Sequence, residues 1–167
     1  MEQLKAVFDC NIYVQALFNP KGIANKCFEA VKEEKVILFV STETLLKIRE
    51  VLQRPNLIAR FPNTSLEQID TFLDEILSFA VEIKKVSCKF QYLRDIDDVP
   101  YINLAVEAKV DYIVSRDNDL LDLMTDFTDE AKEFRQRFRL LKVIEPMEFL
   151  QIIKTREQKW TIFLMQI

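Results

Sequence analysis

Residues 36–40 read Val-Ile-Leu-Phe-Val, an unbroken apolar run with no polar position. A strand with one face in water alternates polar and apolar residues, so a run like this needs cover on both faces. Residues 4–9 (LKAVFD) and 111–115 (DYIVS) read as buried strands of the same kind, 81–86 (VEIKKV) alternate like a strand nearer an edge, and 139–144 (RLLKVI) supply a last strand. Between them the apolar spacing changes to a helical period: 11–18, 23–34 with Ile23, Cys27, Ala30 and Val31 on one face, and a helix to about residue 52 capped by Ser41 or Thr42. Asn19-Pro20-Lys21-Gly22 is a turn, and Pro55 and Pro62 break the chain. Ser65 and Gln68 make a capping box before the amphipathic stretch LEQIDTFLDEILSFA, whose Leu66, Ile69, Phe72, Leu73, Ile76 and Leu77 stripe reads as core packing. Pro100 opens a further helix, 117–124 and about 129–138 follow, and Pro146 starts the last. Strands alternating with helices predict an α/β fold, a three-layer α/β/α sandwich around a mostly parallel sheet. One domain spans 1–152, and an apolar tail over 153–167, with WTIFLMQI at its end, packs on the domain or on a partner.

What the chain lacks narrows its chemistry. It has no histidine, which removes Ser-His-Asp and Cys-His catalysis, His-ligated zinc and imidazole general bases. Its single glycine, Gly22, cannot build a Rossmann or Walker phosphate loop. Cys10, Cys27 and Cys88 are too widely spaced for a CxxC pair and read as buried reduced thiols of a cytoplasmic protein. No secretory signal is recognisable, and no apolar run is long enough to span a membrane. The net charge of −4 disfavours a plain polyanion binder but suits a metal site, which is itself acidic.

Ligands of open parallel sheets bind beyond the carboxyl ends of the strands. Asp9 ends the first strand, Asp117 and Asp119 follow the DYIVS strand, and the acidic loop Asp95–Asp98 precedes a helix. Three segments thus aim acids at one sheet edge. Carboxylates gathered there repel one another, and a divalent cation is the natural compensation. Oxygen ligands suit Mg²⁺ or Mn²⁺, which can activate water and clamp phosphate oxygens without histidine. An Asp after a strand is also a common helix cap, so Asp119 reads equally as cap or as metal contact. Asp9, after Val7 and Phe8 at a buried strand end, is harder to explain as structure alone.

The order of these segments resembles the PIN domain family of metal-dependent ribonucleases over nearly the whole chain. VFDCNIYVQALFNPKG is similar to the family's opening strand with its Asp-x-Asn, here Asp9 and Asn11. DDVPYINLAVEAKVDYIVSRDNDLLDL is similar to its later half, with Ser115, Asp117 and Asp119 in the Ser/Thr-x-Asp turn. The closest likeness is to the bacterial toxin components of toxin–antitoxin pairs. The resemblance implies a Mg²⁺- or Mn²⁺-dependent endoribonuclease with an RNA substrate, a small antitoxin protein as partner and a homodimer as a common state. Asp9, Asp98 and Asp117 would hold the metal, Asp119 and Glu50 would support them, and Asn11, Ser115 and Arg116 would orient ligands or phosphate. Two positions depart from the pattern. Lys47 stands where the family's second acid is expected, flanked by Glu43 and Glu50 on the same helix face. Val99 stands at the third, with Asp98 one place earlier. A Lys47 ammonium filling the ion's place would instead make a catalytically degenerate protein- or RNA-binding module; a flap-nuclease or phosphatase-like relative acting on DNA is the third reading. Lys132, Arg135, Arg137, Arg139 and Lys142, interleaved with Phe134 and Phe138, read as a solvated helix with its phenylalanines inward rather than as an RNA contact.

Overall fold

The computed structural model describes residues 2–167. Five strands, β1 (Leu4–Phe8), β2 (Val36–Ser41), β3 (Val81–Ile83), β4 (Tyr112–Val114) and β5 (Lys142–Ile144), form one sheet in the order β3-β2-β1-β4-β5. Every neighbouring pair is parallel, so the sheet is wholly rather than mostly parallel. The register sets Phe8 opposite Val114 and Ala6 opposite both Leu38 and Tyr112. The chain steps outward from β1 through β2 to β3, then returns to β4 on the other side of β1. The strand order therefore reverses between β1 and β4, and such a reversal leaves a crevice at the carboxyl ends of the two strands.

Helices cover both faces. One face carries a run of interlocking aromatic rings. Phe8 of β1 meets Phe28 of α2 (Ile23–Lys32) edge-on, with ring centres 5.1 Å apart, and Phe149 of α9 (Pro146–Met165) at 5.8 Å. Phe28 in turn touches Tyr13 of α1 (Cys10–Phe18) and Phe72 of α5 (Leu66–Phe79). The opposite face is covered by α6 (Val99–Glu107), which packs across β1, β2 and β4. Phe90 and Phe134 of α8 (Asp129–Arg137) extend that second layer. Phe149 is fully buried between Phe8 and Tyr112. Phe149→Ala should lower stability by about 3–5 kcal/mol, read as an earlier urea midpoint with an unchanged slope.

Local signals place most helix starts. Ser41 caps α3 (Thr42–Leu52) through a reciprocal box with Thr44, and Ser65 caps α5 through one with Gln68. Other details differ from the sequence expectation. Pro55 begins a short helix, α4 (Pro55–Arg60), rather than only breaking the chain, because a proline without an N–H is tolerated in the first turn. Val99 precedes Pro100 in α6, and Ile96–Asp98 form a 3₁₀ turn leading into it. The expected helix over 117–124 is a short helix, α7 (Asn118–Leu121), followed by a 3₁₀ turn. β3, β4 and β5 are each three residues long, shorter than expected. The helix from Pro146 continues to Met165, so residue 153 lies inside it; no Gly or Pro interrupts the later sequence. Ile153 is its last core residue, and Ile162, Phe163, Leu164, Met165 and Ile167 are exposed.

The thiols also divide differently from expectation: Cys27 is buried, Cys10 half-buried and Cys88 exposed on an irregular segment. Of the long apolar stripe in α5, Ile69, Leu73 and Ile76 are buried, while Leu66 and Leu77 remain exposed. In the basic stretch, Phe134 is buried, and Arg135 spends its guanidinium on the carbonyls of Leu123 and Asp126 at 2.7 Å each. Arg135 thus secures the turn after β4. Among the described residues, no helix is long and apolar enough to cross a membrane.

Candidate metal centre

The crevice between β1 and β4 is built from the residues that directly follow the two strands. The Asp9 N–H donates to the Val114 carbonyl at 3.0 Å, and the Ser115 N–H to the Ile144 carbonyl at 3.0 Å, so sheet pairing holds both residues one step past their strands. Asp9 then caps α1: its Oδ1 accepts from the Cys10 N–H at 2.6 Å. Its Oδ2 accepts from the Ser115 hydroxyl, also at 2.6 Å. Ser115 is wholly buried, and its Oγ in turn accepts from the Asp117 N–H at 2.9 Å and weakly from the Asn11 amide at 3.5 Å. The Asn11 side-chain oxygen lies 3.4 Å from the Arg116 N–H. Ser115 thus joins the ends of β1 and β4 beneath the acids, and Asn11 braces it from α1.

Asp98 reaches the same point from the start of α6. The carboxylates of Asp9, Asp98 and Asp117 can each place an oxygen within 4.8 Å of the other two. Asp9 and Asp98 are only 4% and 5% exposed, and Asp98 Oδ2 is buried with no hydrogen-bond partner. A buried acceptor with nothing to accept costs about 1–3 kcal/mol, more when it is charged. The burden appears in the acidities. Burial pushes the Asp9 carboxyl up to about 6, against the Ser115 and Cys10 hydrogen bonds that favour its anion. Burial, and then repulsion from Asp9, Asp95, Asp117 and Asp119, pushes Asp98 up to about 8. Three converging carboxylates, one with an orphaned oxygen, fit a hard divalent cation in donor type and in charge.

The triad opens into a cavity of about 470 Å³. Asn11 and Glu50 line it, as do Lys47 and Arg54 from the α3 side; Arg116 does not and is exposed. Lys47 does not insert among the three aspartates. Its ammonium pairs with Asp97 Oδ1 at 3.2 Å, and Asp97 is largely exposed. Asp119 is drawn elsewhere too: its carboxylate lies 2.6 Å from the Arg94 guanidinium, and its carbonyl accepts the Tyr92 hydroxyl at 2.6 Å. Glu43 is exposed and outside the cavity.

Arg94 and Tyr101 were not singled out by sequence; Asp95 stood out only as the start of the acidic loop, and Arg54 only as a cation near the pocket, ranked behind Arg116. Asp95 lines the cavity and can place an oxygen within 4.8 Å of Asp117 and Asp119. Its acidic loop was visible, but the 3₁₀ turn decides which acid faces where: Asp95 caps that turn through the Asp97 N–H, Asp97 faces Lys47 and Asp98 turns inward. Arg94 lies in an irregular segment with no periodic pattern to reveal it. Tyr101 lines the cavity one turn after Asp98, and its buried hydroxyl has no hydrogen-bond partner.

Comparison with known proteins agrees with this arrangement. A family model described as PIN domain matches residues 5–119, a range that opens in β1 and closes at Asp119. Over 149 residues the chain is 33% identical to the uncharacterized protein MJ1680 of Methanocaldococcus jannaschii, covering 89% of this chain and 91% of that protein.

Proposed function

Because the chain belongs to the PIN domain family, whose fold is that of a nuclease, we propose that it is a metal-dependent endoribonuclease with Asp9, Asp98 and Asp117 as the ligands of Mg²⁺ or Mn²⁺. The observation that carries this reading is the buried, unpartnered Asp98 Oδ2 inside a carboxylate triad. An ion held there would supply a bound water of lowered pKa and positive charge for phosphate oxygens. The protein's own residues do the rest. Ser115 fixes the rotamer of Asp9 and the backbone of Asp117 with one hydroxyl. Asn11 holds the turn at Arg116 in register with α1. Lys47 and Arg54 line the same cavity, and in this reading they, rather than Arg116, are the cations that meet the RNA backbone. Glu50 lines the same cavity as a further carboxylate.

The finer reading is that of a toxin in a toxin–antitoxin pair, acting in the cytoplasm and restrained by a small antitoxin protein. It rests on the resemblance of the whole segment order. Induced expression should arrest growth with the wild type and not with Asp117→Asn; equal arrest by both would remove the link between toxicity and this site.

The activity is tested on single-stranded RNA and DNA of matched sequence, with Mn²⁺, with Mg²⁺ and with EDTA. Internal cleavage of RNA is expected with either ion and none with EDTA. Undiminished cleavage in EDTA would end the metal reading, and preferential cleavage of DNA would favour a deoxyribonuclease on the same acids.

A further inference from the structure

Arg94 approaches the site from the irregular segment between β3 and α6 and meets three carboxylates on the stretch after β4. Its Nε lies 2.6 Å from Asp119 Oδ1, one terminal nitrogen 2.8 Å from Asp122 Oδ2, and the other 3.5 Å from Asp126 Oδ2. All three nitrogens of the fork face an acid, which leaves no free edge for bidentate contact with a phosphate. Arg94 is therefore placed to manage acids rather than to bind substrate.

Asp119 matters because it also belongs to a second carboxylate group. Asp95, Asp117 and Asp119 can place oxygens within 4.8 Å of one another, as Asp9, Asp98 and Asp117 do. Asp117 is common to both groups, and two oxygen clusters sharing one ligand are what a pair of adjacent cations requires. The two groups differ in what already neutralises them. The first contains an orphaned buried oxygen; the second contains a carboxylate with a guanidinium against it. The Tyr92 hydroxyl, bonded to the Asp119 carbonyl, fixes the backbone from which that carboxylate projects.

From these contacts we infer that Arg94 is a resident cation that competes with metal for Asp119 and so limits the two carboxylate groups to one divalent ion. A second ion at Asp95, Asp117 and Asp119 would have to compete with Arg94 for Asp119 and sit beside both the guanidinium and the first ion. Like charges repel, so each cation already present disfavours another beside it. Arg94 is in this sense a positioning residue, acting through Asp119. The inference rests on the metal reading proposed above for the first group.

The test is Mn²⁺ calorimetry on the full chain, comparing the wild type with Arg94→Gln, Arg94→Lys and the double variant Arg94→Gln/Asp119→Asn. Circular dichroism melts confirm that each is folded. The wild type should bind one ion and Arg94→Gln two, with the second lost again in the double variant. Arg94→Lys keeps a charge near Asp119 and should stay at one, which separates the charge from any loosening of the loop. Two ions on the wild type, or one on a folded Arg94→Gln, would overturn the inference. A wild type that binds none would sink the proposed metal ligands instead. In that case an Asp119-dependent ion gained by Arg94→Gln still supports the role of Arg94, and no gain removes it.

Discussion

Asp9→Asn should abolish Mn²⁺ binding and slow metal-dependent RNA cleavage by about a hundredfold or more, while leaving the protein folded. The carboxylate carries a charge that the amide lacks, and it is held at both ends. Oδ1 receives the Cys10 N–H and Oδ2 the Ser115 hydroxyl. An amide of the same shape can keep its oxygen on Cys10, but its NH₂ then faces Ser115. The hydroxyl must turn to accept, although it already accepts from the Asp117 N–H. The substitution therefore removes one ligand charge and also shifts the group that positions a second ligand. Positional errors of about 1 Å in a catalytic site can cost about a hundredfold on their own. Calorimetry and single-turnover cleavage should fall together. Binding that survives Asp9→Asn unchanged would take Asp9 out of the ligand set.

The second large effect is on stability without metal, which should fall as pH rises from 5 to 8. The sign follows from the acidities. Asp9 and Asp98 are raised from 3.8 to about 6 and about 8 in the folded protein. Over that interval the folded chain holds protons that the unfolded chain has released, so unfolding becomes easier with each increment of pH. The stabilising contribution is complete below the unfolded pKa and is lost once pH passes the folded values. The window is clean because the chain has no histidine to titrate within it, and ordinary carboxylates are already ionised at pH 5. For a domain of this size about 1 kcal/mol moves the melting temperature by roughly 2–4 °C, so a fall on the order of 10 °C is expected between pH 5 and 8.

Two further readings separate this cause from general acid or base effects. Asp98→Asn should flatten the slope and raise the melting temperature at pH 8, because it removes the more strongly raised group and a buried repulsion. Mn²⁺ should stabilise the wild type much more at pH 8 than at pH 5, where the ligands are protonated; at a hundred times its Kd an ion contributes about 2.7 kcal/mol. Metal-free melting temperatures that rise from pH 5 to 8 would contradict the placement of these two acids in a dry, self-repelling group.

The sequence by itself was enough for the fold class and for placing acids at the ends of β1 and β4. VILFV needs cover on both faces, helical spacing follows each strand, and the Ser65–Gln68 box starts α5; each is a pattern within a dozen residues. Asp9 and Asp117 were legible for the same reason, since a polar residue ending an apolar strand lies at a known edge of a parallel sheet. Which strands flank β1 was not written locally, because strand order depends on how whole faces pack over distances that no short window contains. That order creates the crevice and brings Ser115 under Asp9 across 106 positions of chain, while the 3₁₀ turn over Ile96–Asp98 turns Asp98 inward and sends Asp97 to Lys47. The continuation of α9 past its last core residue shows in the sequence only as the absence of a breaker, since the buried stripe ends at Ile153. Arg94 marks the clearest limit. In sequence it is one cation in an irregular segment; only the tertiary structure sets it against Asp119, Asp122 and Asp126, because an ion pair depends on distance in space and leaves no period along the chain.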